Sequence, residues 1–387
     1  MKHLELDVSL SDKARAIQET AIKFAAEVMR PVGKALDVLT DPKDVVSETS
    51  KLRGAIKHYR EIGLHRIALP GDLATLQDEV DPKVRPLVVE ALGFGDAGLA
   101  TSLCTDAIPF EMAATSSAHD LKNLARAYAE DKNGELVGCW IDVQPDASGS
   151  VQLVGTDHVI KDYKTRWVTN GSIATHALLH IASIESQNAV VAVIPLDQPG
   201  VLRSDPVSKM GLRALNQCEI LLREVKIPEA LLISAEGIGE KALASVHECI
   251  GQIAVGLAQG ALDESIAYAT HRIQGGVPII KHDNIKLKIF RMFAMIESSR
   301  AFARSVALYN QADHVLASSK HAIALRQIAS QAALTVTSEA IQIFGGPGLM
   351  KEYPVEKMLR DAGLLMTING TNNVLALKAL RNYGGLH

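Results

Sequence analysis

The sequence predicts a mainly α-helical protein with a small antiparallel β domain, a barrel or a sandwich, in the middle of the chain. Apolar residues recur at helical spacing up to about residue 131 and again from residue 237 onward, whereas short β-favouring runs occupy the stretch from 136 to 233. We therefore expect an N-terminal helical domain at 1–131, a middle β domain at 132–235 and a C-terminal four-helix bundle at 236–387.

The N-terminal domain opens with a helix that Ser9 or Ser11 can cap, since apolar residues follow at helical spacing. Further along, Gly93 to Gly98 matches the dinucleotide pattern G-x-G-x-x-G. The preceding run, VRPLVVEAL, suits a strand or a helix, and no alternating strand–helix pattern follows. We favour a junction between two helices. The alternative, an NAD enzyme, predicts nicotinamide binding and no flavin absorbance.

The middle domain is predicted from six β-favouring runs that Gly, Pro, Asn and Asp residues separate. These runs are residues 151–154, 158–160, 166–169, 177–183, 189–194 and 220–227, and Pro228 closes the domain.

The C-terminal part is helical from Gly237 onward. An apolar stripe at i, i+3, i+4 and i+7 predicts a first helix that reaches about His271. A glycine pair at 275–276 breaks this pattern, and helices resume at 283–312 and 318–343. The pattern is typical of a helical bundle.

Composition and charge exclude several classes of partner. The chain has 387 residues, of which 47% are hydrophobic and 22% charged, and its formal net charge is −4. So small a charge does not favour a nucleic-acid partner, and no apolar run of about 18 residues predicts a membrane span. The four cysteines lack metal-ligand spacing, and no secretory signal is visible. We expect a cytoplasmic protein without nucleic-acid, membrane or metal partners.

The stretch Gln342–Asn373 combines features of a ligand-binding site. Gly345 and Gly346 follow a helical pattern, and Asn369-Gly370-Thr371 forms a second small-residue turn. Glycine tolerates positive φ and has no Cβ, so its backbone can approach a ligand closely. If the glycines stood alone, the end of a helix would explain them. Because they are grouped with the amide of Gln342 and the hydroxyl of Thr371, we favour a ligand-binding site.

This stretch resembles the C-terminal signature of the acyl-CoA dehydrogenase family. The segments QIFGG, EYPVEK, RDA and GT stand in the order of the family pattern. Similar motifs precede them, namely REIGL at 60–64, RWVTNG at 166–171, KMGLR at 209–213, VKIP at 225–228, GLAQGALDE at 256–264 and RIQGGVPI at 272–279. The resemblance thus covers nearly the whole chain and implies the same three-domain fold.

The resemblance implies an FAD that residues of two subunits hold together, in a homodimer or homotetramer. Trp167 would stack on the isoalloxazine and Thr169 would hydrogen-bond to it. Arg272 would meet the pyrophosphate across the subunit interface as a charge-assisted donor. Taken alone, Trp167 could be an aromatic of a core strand, and Arg272 a solvated helix end that favours the helix dipole.

The remaining cofactor residues that the resemblance implies lie in the C-terminal stretch. Gln342, Gly345 and Gly346 would lie along the adenosine end of FAD. Gly370, Thr371 and Asn373 would lie near the dinucleotide.

Three positions depart from the family's flavin motifs. The loop at 143–150, VQPDASGS, lacks a threonine that contacts the flavin in the family. Gly275 stands where phenylalanine is expected, and Asp283 stands where glutamine is expected.

A fourth departure concerns the catalytic base, because Asn369 stands where the family usually carries a glutamate. α,β-Dehydrogenation needs a carboxylate to take the α proton while hydride leaves the β carbon, and an amide is no base at neutral pH. A second glutamate position, used by some members, corresponds to Val246. Glu248 should face away from it, about 200° around the helix, as a solvated or interface carboxylate.

The sequence therefore leaves several functions open. The preferred one is an FAD-dependent oxidoreductase acting on an acyl-CoA or acyl-carrier thioester, and Asn369 leaves open a reaction other than standard dehydrogenation. An acyl-CoA desulfinase and a flavin monooxygenase are alternatives that need no carboxylate base. Another is a non-catalytic subunit of a hetero-oligomeric enzyme. An electron-transfer flavoprotein or O2 would be the electron acceptor.

Overall fold

The computed structural model describes residues 10–74, 83–143, 151–154, 157–181, 190–311 and 317–380. Of the predicted features, the loop at 144–150 and the serine at position 9 lie outside these residues. No helix in the described ranges is long and apolar enough to cross a bilayer.

The first part of the described chain is helical. Its α-helices are α1 (Asp12–Phe24), α2 (Arg30–Asp37), α3 (Pro42–Val46), α4 (Lys51–Glu61), α5 (Val84–Gly95), α6 (Ala97–Ala114) and α7 (His119–Glu130). Ser11 caps α1, because its Oγ accepts a hydrogen bond from the backbone N of Ala14 at 3.1 Å.

The middle part forms two small sheets. The strands are β1 (Gly138–Val143), β2 (Val151–Val154), β3 (Asp157–Thr169), β4 (His176–Ile181), β5 (Val190–Pro195), β6 (Val201–Arg203) and β7 (Gln217–Ile227). One sheet has the order β1-β4-β5 and the other β2-β3-β7-β6. The single strand β3 spans two of the predicted runs.

The predicted antiparallel pairing needs a correction at one place, since β1 and β4 are parallel. Parallel neighbours require a crossover connection. Here β2 and β3 provide it, because the chain leaves for the second sheet before it returns as β4. The other described pairs of these two sheets are antiparallel.

The last part is a bundle built on three long helices. Its elements are α8 (Ile238–His271), the hairpin of β8 (Ile273–Gln274) and β9 (Val277–Pro278), α9 (Asp283–Asn310), α10 (Ser319–Phe344), α11 (Val355–Leu365) and α12 (Asn372–Leu380). Helix α11 packs on α8 and α10 as the fourth member. The predicted mainly α fold with a middle β domain is thus confirmed, while the domain limits stay a prediction.

Helices α8 and α10 run side by side in the same direction. At one end the backbone N of Ser319 donates to Glu240 Oε2 at 3.1 Å. At the other end the rings of Tyr268 and Phe344 stack, with centroids 4.1 Å apart. The C-terminal ends of both helices therefore lie at the same end of the bundle.

The glycine motif at 93–98 is a helix–helix junction, as favoured above. Helix α5 ends at Gly95, and Asp96 caps α6 by accepting from the backbone N of Leu99 at 2.8 Å. A Cβ added at Gly93 would lie 2.4 Å from the carbonyl oxygen of Ile253. This glycine therefore allows α5 to approach α8, and the strand that a dinucleotide loop requires is absent, since residues 84–95 are helical.

Candidate functional site

A cavity of about 480 Å³ lies between the β domain and the connection of α11 to α12. This size is within the usual range of small-molecule sites. Its lining residues are Trp140, Asp142, Thr165, Arg166, Trp167, Val168, Val207, Ser208, Lys209, Met210, Leu212, Gln217, Leu364, Thr367, Ile368, Asn369, Gly370, Val374, Leu375 and Lys378. We call it the main cavity. It brings together Trp167, Asn369 and Gly370 from the predicted set.

Trp167 reaches the main cavity because of a bulge in β3. The pairing register of β3 with β7 shifts between Thr165 and Val168, and Trp167 has a φ of 57°. Gln217 fixes this backbone by donating from Nε2 to the carbonyl oxygen of Trp167 at 2.9 Å. The indole is 60% exposed, so it is a cavity wall and no core aromatic.

Thr169 lies behind that wall. Its side chain is buried, and its hydroxyl oxygen is 3.5 Å from Nε2 of Gln217. The next residue, Asn170, is fully buried, and its Nδ2 donates to the carbonyl oxygens of Ser102 and Gly138 at 2.9 and 3.1 Å. The motif containing Trp167, Thr169 and Asn170 therefore joins the cavity wall to α6 and β1.

The opposite wall is a turn with two consecutive residues at positive φ, Asn369 at 53° and Gly370 at 107°. Asn is one of the few non-glycine residues that adopt this region readily. The Asn369 Nδ2 atom is buried and has no hydrogen-bond partner within the described part of the chain. A buried donor of this kind costs free energy unless a ligand accepts from it.

Thr371 and Asn373 are exposed at the start of α12, next to this turn. The Thr371 hydroxyl accepts a weak hydrogen bond from the backbone N of Val374 at 3.4 Å. Between them, Asn372 donates from Nδ2 to Ser330 Oγ of α10 at 2.9 Å. The turn is therefore tied to α10, while its two flanking polar side chains face outward.

Positive charge prevails around the main cavity. Its described lining carries Arg166, Lys209 and Lys378 against one carboxylate, Asp142. Burial lowers the pKa of the Lys209 ammonium to about 8. Asp142 accepts from His180 Nδ1 at 2.9 Å, and its Oδ2 lies 3.6 Å from Lys378 Nζ. The cavity suits an anionic occupant.

The structure does not bring the remaining predicted residues to the main cavity. Arg272, Gln342, Gly345 and Gly346 are exposed at the far end of the bundle, beside the stacked Tyr268 and Phe344. On α10, Phe344 lies eighteen residues beyond Arg326, which contacts Gly370. At 1.5 Å per residue, the two groups are roughly 27 Å apart within one chain.

This far end is open to approach. A Cβ added at Gly345 or Gly346 would meet nothing within 4 Å, and Gly345 has a φ of 65°. Steric contacts within the described part of the chain therefore do not explain why position 346 is a glycine. A ligand or a second chain can reach this backbone.

Neither predicted base position supplies a free carboxylate. Val246 is buried, and Asn369 is an amide. Glu248 was expected to be solvated or at an interface, and this is corrected, because the side chain is only 6% exposed. It accepts from Gln252 Nε2 at 2.8 Å and from Asn310 Nδ2 at 3.0 Å, and burial raises its pKa.

Sequence reasoning missed Trp140, Asp142, Lys378 and Arg326. Trp140 is one of only two tryptophans, and both line the main cavity. The strand that carries Trp140 and Asp142 was not among the six predicted runs, because its six residues give little periodic signal. Lys378 and Arg326 lie in helical patterns, where a charged residue normally indicates the solvated face.

A second cavity, of about 300 Å³, lies beside the α5–α6 junction. Several of its charged groups already have partners. Arg30 Nη1 donates to Glu264 at 2.7 Å, and Lys357 Nζ donates to Asp96 and Asp361, both at 2.6 Å. These pairs tie α2, α6, α8 and α11 together, and we assign them to the fold.

Comparison with known proteins gives one consistent answer. The model of the family described as acyl-CoA dehydrogenase, C-terminal domain, matches residues 241–383. A probable acyl-CoA dehydrogenase of Bacillus subtilis is 37% identical over 264 residues, which cover 64% of this chain and 69% of the relative.

Solved structures share the fold. Butyryl-CoA dehydrogenase from Megasphaera elsdenii superposes with a TM-score of 0.82 at 22% identity, covering 98% of this chain and 100% of that one. An acyl-CoA dehydrogenase complexed with FAD from Bacillus anthracis gives a TM-score of 0.77 at 18% identity, covering 96% of this chain and 67% of the other.

Proposed function

The chain belongs to the acyl-CoA dehydrogenase family of oxidoreductases, and on that basis we propose that it binds FAD in the main cavity and acts on an acyl thioester. The proposal rests mainly on one observation. The exposed indole of Trp167 and the Asn369-Gly370 turn line the same cavity. The positive lining suits the phosphates of FAD and of a CoA or carrier thioester.

The residues of this chain fit FAD at several points. Trp167 offers an exposed ring face for stacking on the isoalloxazine. Gly370 lines the cavity, and Thr371 and Asn373 follow it at the exposed start of α12. Thr169 supports the wall from behind. When bound, FAD supplies a two-electron acceptor.

The assembly is a homodimer or homotetramer in which one chain completes the site of another. Arg272, Gln342, Gly345 and Gly346 would hold the pyrophosphate and adenosine of FAD bound mainly in the partner's cavity. Exposed apolar residues near Arg272 support this, because Ile273, Leu287 and Phe290 are 62%, 57% and 66% exposed. Such a patch marks a protein interface.

The reaction differs from standard dehydrogenation, because Asn369 donates a hydrogen bond and cannot accept a proton. We favour a desulfinase-type cleavage that needs no abstraction of an α proton. The C–S bond of a sulfinate-bearing acyl-CoA breaks, its electron pair stays on carbon, which takes a proton from water, and the sulfur leaves as SO2, which the remaining hydroxide converts to hydrogen sulfite. The amide would bind a thioester carbonyl or a sulfinate oxygen. A monooxygenase, which needs O2, and a non-catalytic subunit paired with an active homologue remain the alternatives.

One observation favours a second candidate, standard dehydrogenation with Asp142 as the proton acceptor. Asp142 is the only carboxylate in the described lining of the main cavity, and the His180 bond holds it in place. Electrons would pass to an electron-transfer flavoprotein or to O2. We place either activity in the cytoplasm, since all four cysteines are free thiols.

An absorbance spectrum of the purified protein, titrated with acyl-CoAs, tests the proposal. We expect flavin bands, no bleaching with saturated acyl-CoAs, and sulfite release from a sulfinate-bearing acyl-CoA. Bleaching by saturated acyl-CoAs that Asp142→Asn abolishes would establish the second candidate instead. A colourless chain that takes up FAD only with a co-expressed homologue would identify a non-catalytic subunit.

A further inference from the structure

Arg326 of α10 is a fully buried guanidinium with an unusual set of partners. Its Nη2 donates to the carbonyl oxygen of Gly370 at 2.6 Å and to that of Leu365 at 3.4 Å. Its Nη1 donates to His247 Nδ1 at 3.1 Å. Within the described part of the chain, no carboxylate forms an ion pair with it.

These bonds bracket the segment that carries Asn369. Leu365 is the last residue of α11, where carbonyl groups carry partial negative charge. Gly370 follows Asn369 in the left-handed turn. One guanidinium therefore holds both ends of a six-residue connection, and Ser330, one helical turn further along α10, holds Asn372.

The orientation of Arg326 is fixed from behind by His247. Burial, and then the Arg326 charge, keep the pKa of His247 well below its usual range, so the imidazole is neutral at pH 7. A neutral ring can accept at Nδ1, as the distance indicates. Burial lowers the pKa of Arg326 to about 9, so the guanidinium remains charged.

A buried charge without a counter-ion is costly. The carbonyl dipoles of Leu365 and Gly370 offset part of this cost, and negative charge on an occupant of the adjoining cavity would offset more, because Coulomb interactions are strong at low local dielectric. The same turn connects the two, because Gly370 lines the cavity and its carbonyl oxygen accepts from Arg326.

We propose that Arg326 is a positioning residue that locks the Asn369-Gly370 turn, so that the Asn369 amide faces the main cavity, and that its charge favours an anionic group there. This inference rests on the proposed function for the identity of the occupant, an acyl thioester with a carboxylate or sulfinate. The first part of the proposal, that Arg326 locks the turn, does not depend on which group occupies the cavity.

Hydrogen–deuterium exchange without ligand tests this first part. Arg326→Lys keeps the charge but cannot bridge Leu365, Gly370 and His247 at once. We expect exchange in a peptide covering residues 366–374 to accelerate at least about tenfold, the size expected for losing hydrogen bonds from a charged donor. Thr337→Val is the matched control, since Thr337 is also buried on α10 but bonds only to its own helix.

Unchanged exchange in Arg326→Lys, or equal acceleration in Thr337→Val, would overturn the proposal, whether or not the protein binds FAD. In the FAD-loaded enzyme, we expect Arg326→Gln, which removes the charge, to weaken the binding of a succinyl-CoA or sulfinate-bearing acyl-CoA at least tenfold more than the binding of butyryl-CoA. Equal losses of affinity for both classes would refute the role of the charge. Failure of the wild-type chain to bind FAD would instead refute the proposed function alone.

Discussion

At the scale of single residues, Asn369 combines a conformational and a chemical role. Its φ of 53° suits asparagine better than most side chains, and its Nδ2 is buried without a partner in the described chain. The residue thus keeps the turn that the fold requires and offers a hydrogen-bond donor beside the main cavity.

Replacing Asn369 by alanine removes the donor. We expect the acyl thioester to bind about 2- to 12-fold more weakly, the equivalent of one neutral hydrogen bond of about 0.5–1.5 kcal/mol. Thermal unfolding separates this loss from the strain of about 1–3 kcal/mol that alanine incurs at positive φ. Undiminished affinity in a protein that unfolds normally would show that the amide does not touch the ligand.

The burial of His65 should make the stability of the protein depend on pH. The ring is buried and its Nε2 lies 3.1 Å from the carbonyl oxygen of Ala129. Burial, and then the charge of Arg60, lower its pKa from 6.5 to about 4. Between these two values the unfolded chain binds a proton that the folded chain does not, so stability falls as pH drops from 6.5 to 4, by up to about 3 kcal/mol.

His65→Gln places an amide N–H near the same carbonyl and cannot titrate in this window. Urea unfolding at several pH values should therefore show a smaller loss of stability toward pH 4 in the variant than in the wild type. Parallel stability–pH curves for the two proteins would exclude His65 as a source of the dependence.

At the scale of elements, close contacts between helices set where the cavity walls stand. Gly256 of α8 faces the carbonyl oxygen of Glu90 on α5, and a Cβ there would lie only 2.0 Å from it. Helix α5 leads into α6, and Ser102 of α6 binds Asn170 beside the indole wall. The distance between α5 and α8 therefore affects where α6 meets the β domain.

Gly256→Ala should destabilise the protein by about 1–3 kcal/mol or more through overpacking. The matched control is Gly54→Ala in α4, where an added Cβ meets nothing within 4 Å. That change should stabilise by about 0.5–1 kcal/mol, because alanine is the better helix former. Denaturant unfolding of both variants measures the difference, and equal effects would contradict the assigned contact.

The sequence allowed the long helices to be predicted within a few residues, because their apolar stripes extend over many turns. It did not allow β1 to be predicted, since one short strand containing Asp142 carries little periodic signal. The bulge that exposes Trp167 depends on its pairing with β7. Such pairing is a tertiary property, which local propensity cannot reveal.

At the scale of the whole molecule, the predicted cofactor residues form two groups at opposite ends of the bundle. The order of the family motifs pointed to all of these residues. Only the structure shows that Trp167 and Gly370 lie far from Arg272 and Gly345. The distance along α10 is the observation on which the proposed sharing of the site between two subunits rests. The buried role of Arg326 could not be predicted, because its partners come from helices far apart in sequence.

Phe290→Lys places a charge on the exposed apolar patch of α9. We expect it to dissociate the oligomer and to weaken FAD binding, although Phe290 belongs to the end of the bundle remote from the main cavity of its own chain. Light scattering gives the mass, and a FAD titration gives the affinity. Leu202→Lys, at another exposed apolar residue (53% exposed, on β6), should change neither. A monomer with wild-type FAD affinity would contradict the shared site.

The most direct test of the main cavity as the flavin site uses its two tryptophans. In Trp140→Phe, Trp167 is the only remaining indole. Titration of the apoprotein with FAD should quench its fluorescence in proportion to the fraction bound, with saturation at one FAD per chain. Stoichiometric FAD binding that leaves Trp167 emission unchanged would contradict the account.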